Sequence, residues 1–217
     1  MANDRKTHHW RPEWSSSWLT PEDIQQYPEI ALEIGCGVGW HPIRSARENP
    51  ERLLLAFERT EEKFGKFQGR VEVHQSRGIA LSNLRACHAD ATHWLAEVRP
   101  GRVLSRVFIL YPNPYPKAKH ADQRWFSSKL ALPVLNALRP GAEVILATNL
   151  AEYAEGALRT AQALGGLGHG SLELVEDLAY SQTDGLPPGF PRTHFEKKYL
   201  LRGETCRNLR FRFTPPA

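Results

Sequence analysis

Three short stretches set glycine and carboxylate side chains at spacings suited to holding a nucleoside. In Glu33-Ile34-Gly35-Cys36-Gly37-Val38-Gly39, three glycines alternate behind an acid. Such a backbone turns tightly and comes close to a ligand. A dinucleotide fingerprint would need glycine where this chain has Trp40, and a phosphate-cradling loop would need Lys and Ser or Thr at the helix start. The second stretch ends in Glu58, nineteen residues beyond Gly39, whose carboxylate can accept from two ribose hydroxyls. The third is His88-Ala89-Asp90-Ala91. Asp90 can accept from an adenine amino group while the Ala91 N–H donates to the ring, and Asp90 also suits the N-cap of a following helix. His88, Asp90 and His93 match no zinc spacing, so no metal is expected.

A fourth stretch, Tyr111-Pro112-Asn113-Pro114-Tyr115-Pro116-Lys117-Ala118-Lys119-His120, has three prolines within five residues. They stiffen an extended backbone that presents a ring, an amide and lysines. A ring can stack on a base and a lysine can hold a phosphate. Each stretch also has a plain structural reading: a glycine turn without a ligand, an acid before a charged helix, a helix cap, a stiff loop with solvated lysines.

These stretches need a scaffold that brings them to one edge. Short apolar runs at Ile30 to Ile34, Leu53 to Phe57, Arg85 to His88, Val107 to Tyr111 and Glu143 to Thr148 read as strands. Helices are expected after each, at His41 to Glu48, Glu61 to Gln68, Ala91 to Val98, Asp122 to Leu138 and Leu150 to Leu164, with Pro133 kinking or dividing the fourth. This alternation predicts an α/β fold, a mostly parallel sheet with helices on both faces. The tail, Leu172 to Leu178, His194 to Leu201 and Leu209 to Phe213, reads as strand-rich and predicts an antiparallel C-terminal edge. In such a sheet ligands bind at the carboxyl ends of the strands, where all four stretches fall. Residues 1–22, with Trp10, Trp14 and Trp18, read as an arm, and 23–217 as one domain.

Of the 217 residues, 28 are Lys or Arg and 24 Asp or Glu, a formal net charge of +4. The charge is uneven: Arg192 to Arg212 holds seven basic residues against two acids, and Arg106 to Arg124 four against one. Concentrated positive charge suits a polyanion, and equally a solvated face. The apolar runs are too short to span a bilayer, so no membrane is expected. Three scattered cysteines fit a reducing, cytoplasmic setting better than a disulfide framework.

The acid-x-Gly-x-Gly-x-Gly stretch resembles motif I of the S-adenosylmethionine-dependent methyltransferases. The chain from Glu33 to Arg202 is similar to the tRNA (guanine-N7)-methyltransferase family. That family's loop F-P-D-P-W-x-K-x-x-H appears as YPNPYPKAKH, its ATD as Ala147-Thr148-Asn149, and its T-K-F-E as Thr193-His194-Phe195-Glu196. The resemblance implies a Rossmann-like methyltransferase fold, S-adenosyl-L-methionine as cofactor and tRNA or another structured RNA as partner, with the protein a monomer or homodimer. It implies that Glu33, Gly35, Gly37, Glu58, Asp90 and Ala91 hold the cofactor and that Asn113 occupies the catalytic position, bordering the transfer point. Tyr115, Lys117, Asn149, Thr193, His194, Phe195 and Glu196 would then face the substrate.

Asn113 and Asn149 stand where the family has Asp. An amide offers a donor as well as an acceptor, and it fits the two-donor edge of guanine less well than a carboxylate does. Two further readings follow. One is a methyltransferase with another acceptor, such as an exocyclic amine, since Asn113-Pro114-Tyr115 is similar to an N-P-P-Y signature. The other is a non-catalytic RNA- or cofactor-binding relative.

Overall fold

Every residue of Arg52–Phe57 is buried, as a strand covered by helices on both faces must be. The computed structural model describes residues 17–115, 124, 128–165 and 168–216. Within them lie strands β1 (Glu29–Ile34), β2 (Arg52–Phe57), β3 (Leu84–Cys87), β4 (Leu104–Leu110), β5 (Leu138–Thr148), β6 (Ser171–Tyr180) and β7 (Cys206–Thr214). The helices are α1 (Pro21–Gln26), α2 (Trp40–Glu48), α3 (Glu61–Ser76), α4 (Ala91–Val98), α5 (Ser128–Ala137), α6 (Ala151–Gly165) and α7 (His194–Leu201). The sheet runs β3-β2-β1-β4-β5-β7-β6. Its first five strands pair in parallel, and β7 is antiparallel to both β5 and β6. This is the expected α/β architecture with its antiparallel edge.

The two-residue period of the strands sorts the core into two layers. Ile30, Leu32, Ile34, Leu53, Leu55 and Phe57 point into one layer, completed by Trp94 of α4, Leu135 of α5 and Ala157 of α6. Ala31, Leu54, Ala56 and Phe108 point into the other, under Ile43 of α2 and Phe64 and Phe67 of α3. Trp18 closes the first layer, its ring edge-on to Phe57 at 5.5 Å. Trp10 and Trp14 lie outside the described residues.

One expectation needs correction and another is narrowed. His194–Leu201 is a helix, not a strand. Thr193 caps it by accepting from the Glu196 N–H, and Glu196 and Leu200 bury one helical face at a spacing of four residues. Pro133 does not divide α5, which runs unbroken through it from Ser128 to Ala137, although the segment before Ser128 lies largely outside the described residues. Cys36, Cys87 and Cys206 are free and buried. Among the described residues no helix is long and apolar enough to cross a membrane.

Candidate active site

Strand order reverses between β1 and β4, and this opens a crevice at their carboxyl ends. The backbone ladder continues past the strand ends and fixes the loops there. Cys36 N–H donates to Phe57 O at 2.9 Å, Glu58 N–H to Cys87 O at 3.1 Å, and Tyr111 N–H to Ala147 O at 2.8 Å.

The three glycines of the first loop have different tasks. All have positive φ, at 71° for Gly35, 60° for Gly37 and 82° for Gly39. A Cβ at Gly35 or Gly37 would meet only open space, whereas one at Gly39 would lie 2.0 Å from the Phe67 ring. Gly39 thus lets α3 pack against the turn, while Gly35 and Gly37 form a bare backbone wall. Cys36, between them, is a buried thiol whose pKa is pushed well up by desolvation and by the charges of Glu33 and Glu58, so it is no nucleophile.

Glu58 ties the second loop to the first. One carboxylate oxygen accepts from Gly37 N–H at 3.0 Å and the other from Thr60 N–H at 2.8 Å. Each oxygen retains a lone pair. Asp90 caps α4, with Oδ1 accepting from Thr92 N–H at 2.9 Å and from His93 N–H at 3.4 Å. Its other oxygen stands 4.0 Å from Arg59 Nη1. Ala91 is buried directly behind this cap.

Glu33 is only 2% exposed, and its Oε2 lies 2.7 Å from His41 Nδ1. Sequence reasoning missed His41. The signal was available: Glu33 shares its face with Ala31, the face covered by α2, so a polar residue in the first turn of α2 had to meet it.

The fourth strand ends in a strained loop. Tyr111 (φ 53°) and Tyr115 (φ 43°) adopt a left-handed conformation that ordinary side chains disfavour by about 1–2 kcal/mol. Asn113 is exposed, and its Oδ1 accepts from Tyr115 N–H at 3.3 Å, which leaves its amide nitrogen directed elsewhere. Two arginines that the sequence reading did not single out hold this loop. Arg124 donates to the carbonyls of Pro114 at 3.1 Å and Tyr115 at 3.0 Å, and Arg59 donates to the Tyr115 hydroxyl at 3.0 Å. Lys117 lies outside the described residues.

Beneath the loop is a buried polar cluster. Glu196, with 0% exposure, accepts at Oε1 from the Tyr111 hydroxyl at 2.8 Å, from Arg192 Nη2 at 3.0 Å and from the Tyr180 hydroxyl. Its Oε2 accepts from the Arg192 N–H. Burial works to raise the Glu196 pKa, but the charge and hydrogen bonds of Arg192 outweigh it and leave the carboxyl below its ordinary range. Burial and the adjacent Glu196 charge push both tyrosine hydroxyls well above their usual pKa. Thr193 and Glu196 therefore have tasks inside the protein, whereas His194 and Phe195 are exposed. Asn149 donates to Glu204 at 2.6 Å.

Part of the positive charge of Arg192 to Arg212 is paired within the molecule. Arg192 pairs with Glu196, Arg207 with Asp177 and Glu155, and Arg210 with Glu143 and Glu176. These three cations are therefore not part of a bare basic face.

A doubly wound sheet with a glycine turn and two acids at the switch point is the scaffold of a nucleotide-fold enzyme. A family described as putative methyltransferases matches residues 28–209, most of the chain. A tRNA (guanine-N(7)-)-methyltransferase of Chlorobium phaeobacteroides is 33% identical over 171 residues, 79% of this chain and 74% of that one. The enzyme of that name from Nitrosomonas eutropha is 31% identical, over 85% and 75% respectively. Among solved structures, the 16S rRNA methyltransferase KamB superposes with a TM-score of 0.65 at 18% identity, covering 91% of this chain and 95% of its own. The chain belongs to the tRNA (guanine-N(7)-)-methyltransferase family.

Proposed function

We propose that the chain transfers a methyl group from S-adenosyl-L-methionine to N7 of a guanine in tRNA, in the cytoplasm. The observation that carries this reading is the Glu58 carboxylate bound to Gly37 N–H at 3.0 Å, beside two glycines that face open space. A bare backbone wall and an acid with spare lone pairs fit a nucleoside cofactor.

In this reading Gly35 and Gly37 form the wall, and Glu33 steadies it from beneath through His41. Glu58 takes the ribose hydroxyls. The outer oxygen of Asp90 and the Ala91 N–H take the adenine. The bound cofactor supplies a methyl group already activated on a sulfonium. Guanine N7 has a lone pair and no proton, so no residue here needs to act as a base. Alignment is then the main task of the protein, a contribution that reaches about 7–11 kcal/mol in favourable cases. Tyr115, Lys117, Asn149, Thr193, His194 and Phe195 border the substrate, and Glu196 holds this side from behind. The catalytic domain spans 23–217, with 1–22 as its arm.

Asn113 bears on the acceptor. Its carbonyl oxygen accepts from Tyr115 N–H at 3.3 Å and keeps one lone pair, so the side chain offers the base an amide donor and one acceptor. The amide N–H suits O6 of guanine and leaves the N7 lone pair free to take the methyl group. The test is incubation of the full chain with unmodified total tRNA and methyl-labelled cofactor, followed by nucleoside analysis. Label in 7-methylguanosine is expected. Label in another nucleoside, or no transfer, overturns the reading.

A further inference from the structure

We propose that an aromatic track from Tyr199 to Trp40, flanked by Lys63, Arg70 and Lys197, seats the unpaired RNA next to the acceptor nucleotide. This rests on the RNA reading above and extends it to residues outside the cofactor crevice and the strained loop. Trp40, Lys63, Arg70 and Lys197 had no part in the sequence-based site.

Three elements distant in the chain build the track. Tyr199 and Phe195, on α7, lie nearly parallel, with ring centres 6.3 Å apart and planes at 24°. His194 follows Phe195 at 6.3 Å and stands edge-on to Trp40, the first residue of α2, at 5.7 Å. At the inner end, Tyr199 touches Tyr111 at 5.5 Å, which joins the track to the loop that carries Asn113. The track therefore begins at the base of the loop that carries Asn113, two residues from it in the chain, and ends at the start of α2.

The cations come from α3 and α7. Lys63 Nζ stands 5.9 Å from the Phe195 ring centre, Arg70 Cζ 5.8 Å and Lys197 Nζ 5.9 Å from that of Trp40. These distances are at the outer limit of cation–π attraction, so the contacts are weak and the side chains can turn to a phosphate. Among the described residues none of the three has an ion pair, unlike Arg192, Arg207 and Arg210. Phe195 is 41% exposed, a large ring left in water. Two exposed rings, His194 and Phe195, between the half-buried Tyr199 and Trp40, with unpaired cations alongside, suit single-stranded nucleic acid, where bases stack on rings and cations follow the backbone. Paired bases cannot stack on side chains in this way, so the occupant is an unpaired stretch.

The test measures binding of labelled unmodified tRNA, and of a short unstructured oligoribonucleotide, to the full chain without cofactor at several salt concentrations. Phe195→Ser and Trp40→Leu should each weaken binding about tenfold, the loss typical of one stacked base, with Trp40→Phe recovering most of it. Lys63→Ser and Arg70→Ser together should flatten the salt dependence by about 0.7 per cation. Cofactor affinity by calorimetry should stay unchanged in all of them. RNA affinity within twofold of the unaltered chain for both ring variants overturns the track. So does a loss that occurs only where cofactor affinity falls too, or a self-association abolished by Phe195→Ser while RNA affinity is unmoved. The N7 reading fails separately, on the identity of the methylated nucleoside, whatever these affinities show.

Discussion

The crevice has two sides that are built differently. On the proposed cofactor side, at the ends of β1, β2 and β3, backbone groups and loop contacts make the site: a glycine wall, the two oxygens of Glu58 on Gly37 and Thr60, and an Asp90 helix cap. On the acceptor side, at the ends of β4 and β5, the loop is held from below by the cluster of Tyr111, Tyr180, Arg192 and Glu196. Tyr111 meets its partners there across 69 and 85 residues of chain. The proposed cofactor side is built from turns that neighbouring parallel strands bring together. The acceptor side exists only once the antiparallel edge and α7 have docked.

The strongest way to break this contrast is Glu196→Gln. The amide places a donor against the Arg192 N–H and leaves a guanidinium that is only 13% exposed without its countercharge. Removing one member of a buried pair costs about 3–5 kcal/mol. Urea unfolding should show that loss, together with lost methyl transfer, while the variant that remains folded keeps its cofactor affinity. A loss below about 1 kcal/mol would mean that the cluster does not hold the acceptor side. The same carboxyl sets an acid dependence. Its folded pKa lies below the ordinary value, so its stabilisation is complete above the unfolded carboxyl pKa and disappears as pH falls through the folded one. Glu196→Gln should remove that part of the acid unfolding curve.

A second comparison lies within the glycine turn. Gly39→Ala drives a methyl into the Phe67 ring at 2.0 Å, and Gly35→Ala drives it into open space. Both bear the strain of positive φ, about 1–2 kcal/mol, but only the first adds overpacking of about 1–3 kcal/mol. Gly39→Ala should lose thermal stability clearly more than Gly35→Ala. Calorimetry should show the larger loss of cofactor affinity, relative to stability lost, in Gly35→Ala. Equal behaviour of the two would erase the distinction between packing glycine and wall glycine.

The same division explains what was legible in the sequence. Glu33 to Gly39, Glu58 and Asp90 could be read because turn glycines, strand ends and caps are local signals, and the strand–helix alternation placed them on one edge. The segment His194 to Leu201 was misread because its length and apolar content suit either element. The deciding fact is the cap that Thr193 places on Glu196, itself stabilised by distant tyrosines. His41, Arg59 and Arg124 went unnoticed because their partners, Glu33, Tyr115 and Pro114, are fixed by packing and loop course, not by spacing alone. The charge of the C-terminal segment could be counted but not placed, for a related reason: composition counts charges, and only the sheet register shows that Arg210 lies beside Glu143 and Glu176.

The smallest expected effect concerns Asn149, where the resemblance calls for Asp. Its amide donates to Glu204 at 2.6 Å. Asn149→Asp, the change that would restore the family residue, sets two carboxylates at that distance. Both residues are partly open to water, so solvent screening holds the penalty to the order of 1 kcal/mol. The repulsion raises the folded pKa of one carboxyl, so the penalty is full at neutral pH and is relieved as pH falls through that raised value. Urea midpoints at neutral and acidic pH should converge on those of the unaltered chain as acid is added. The double change Asn149→Asp with Glu204→Gln should recover neutral-pH stability, because the amide and the acid have merely exchanged places. If Asn149→Asp alone is as stable as the starting chain at neutral pH, Glu204 does not explain the amide. If the double change recovers stability, the amide at 149 is the answer of this chain to a carboxylate that the turn before β7 brings beside it.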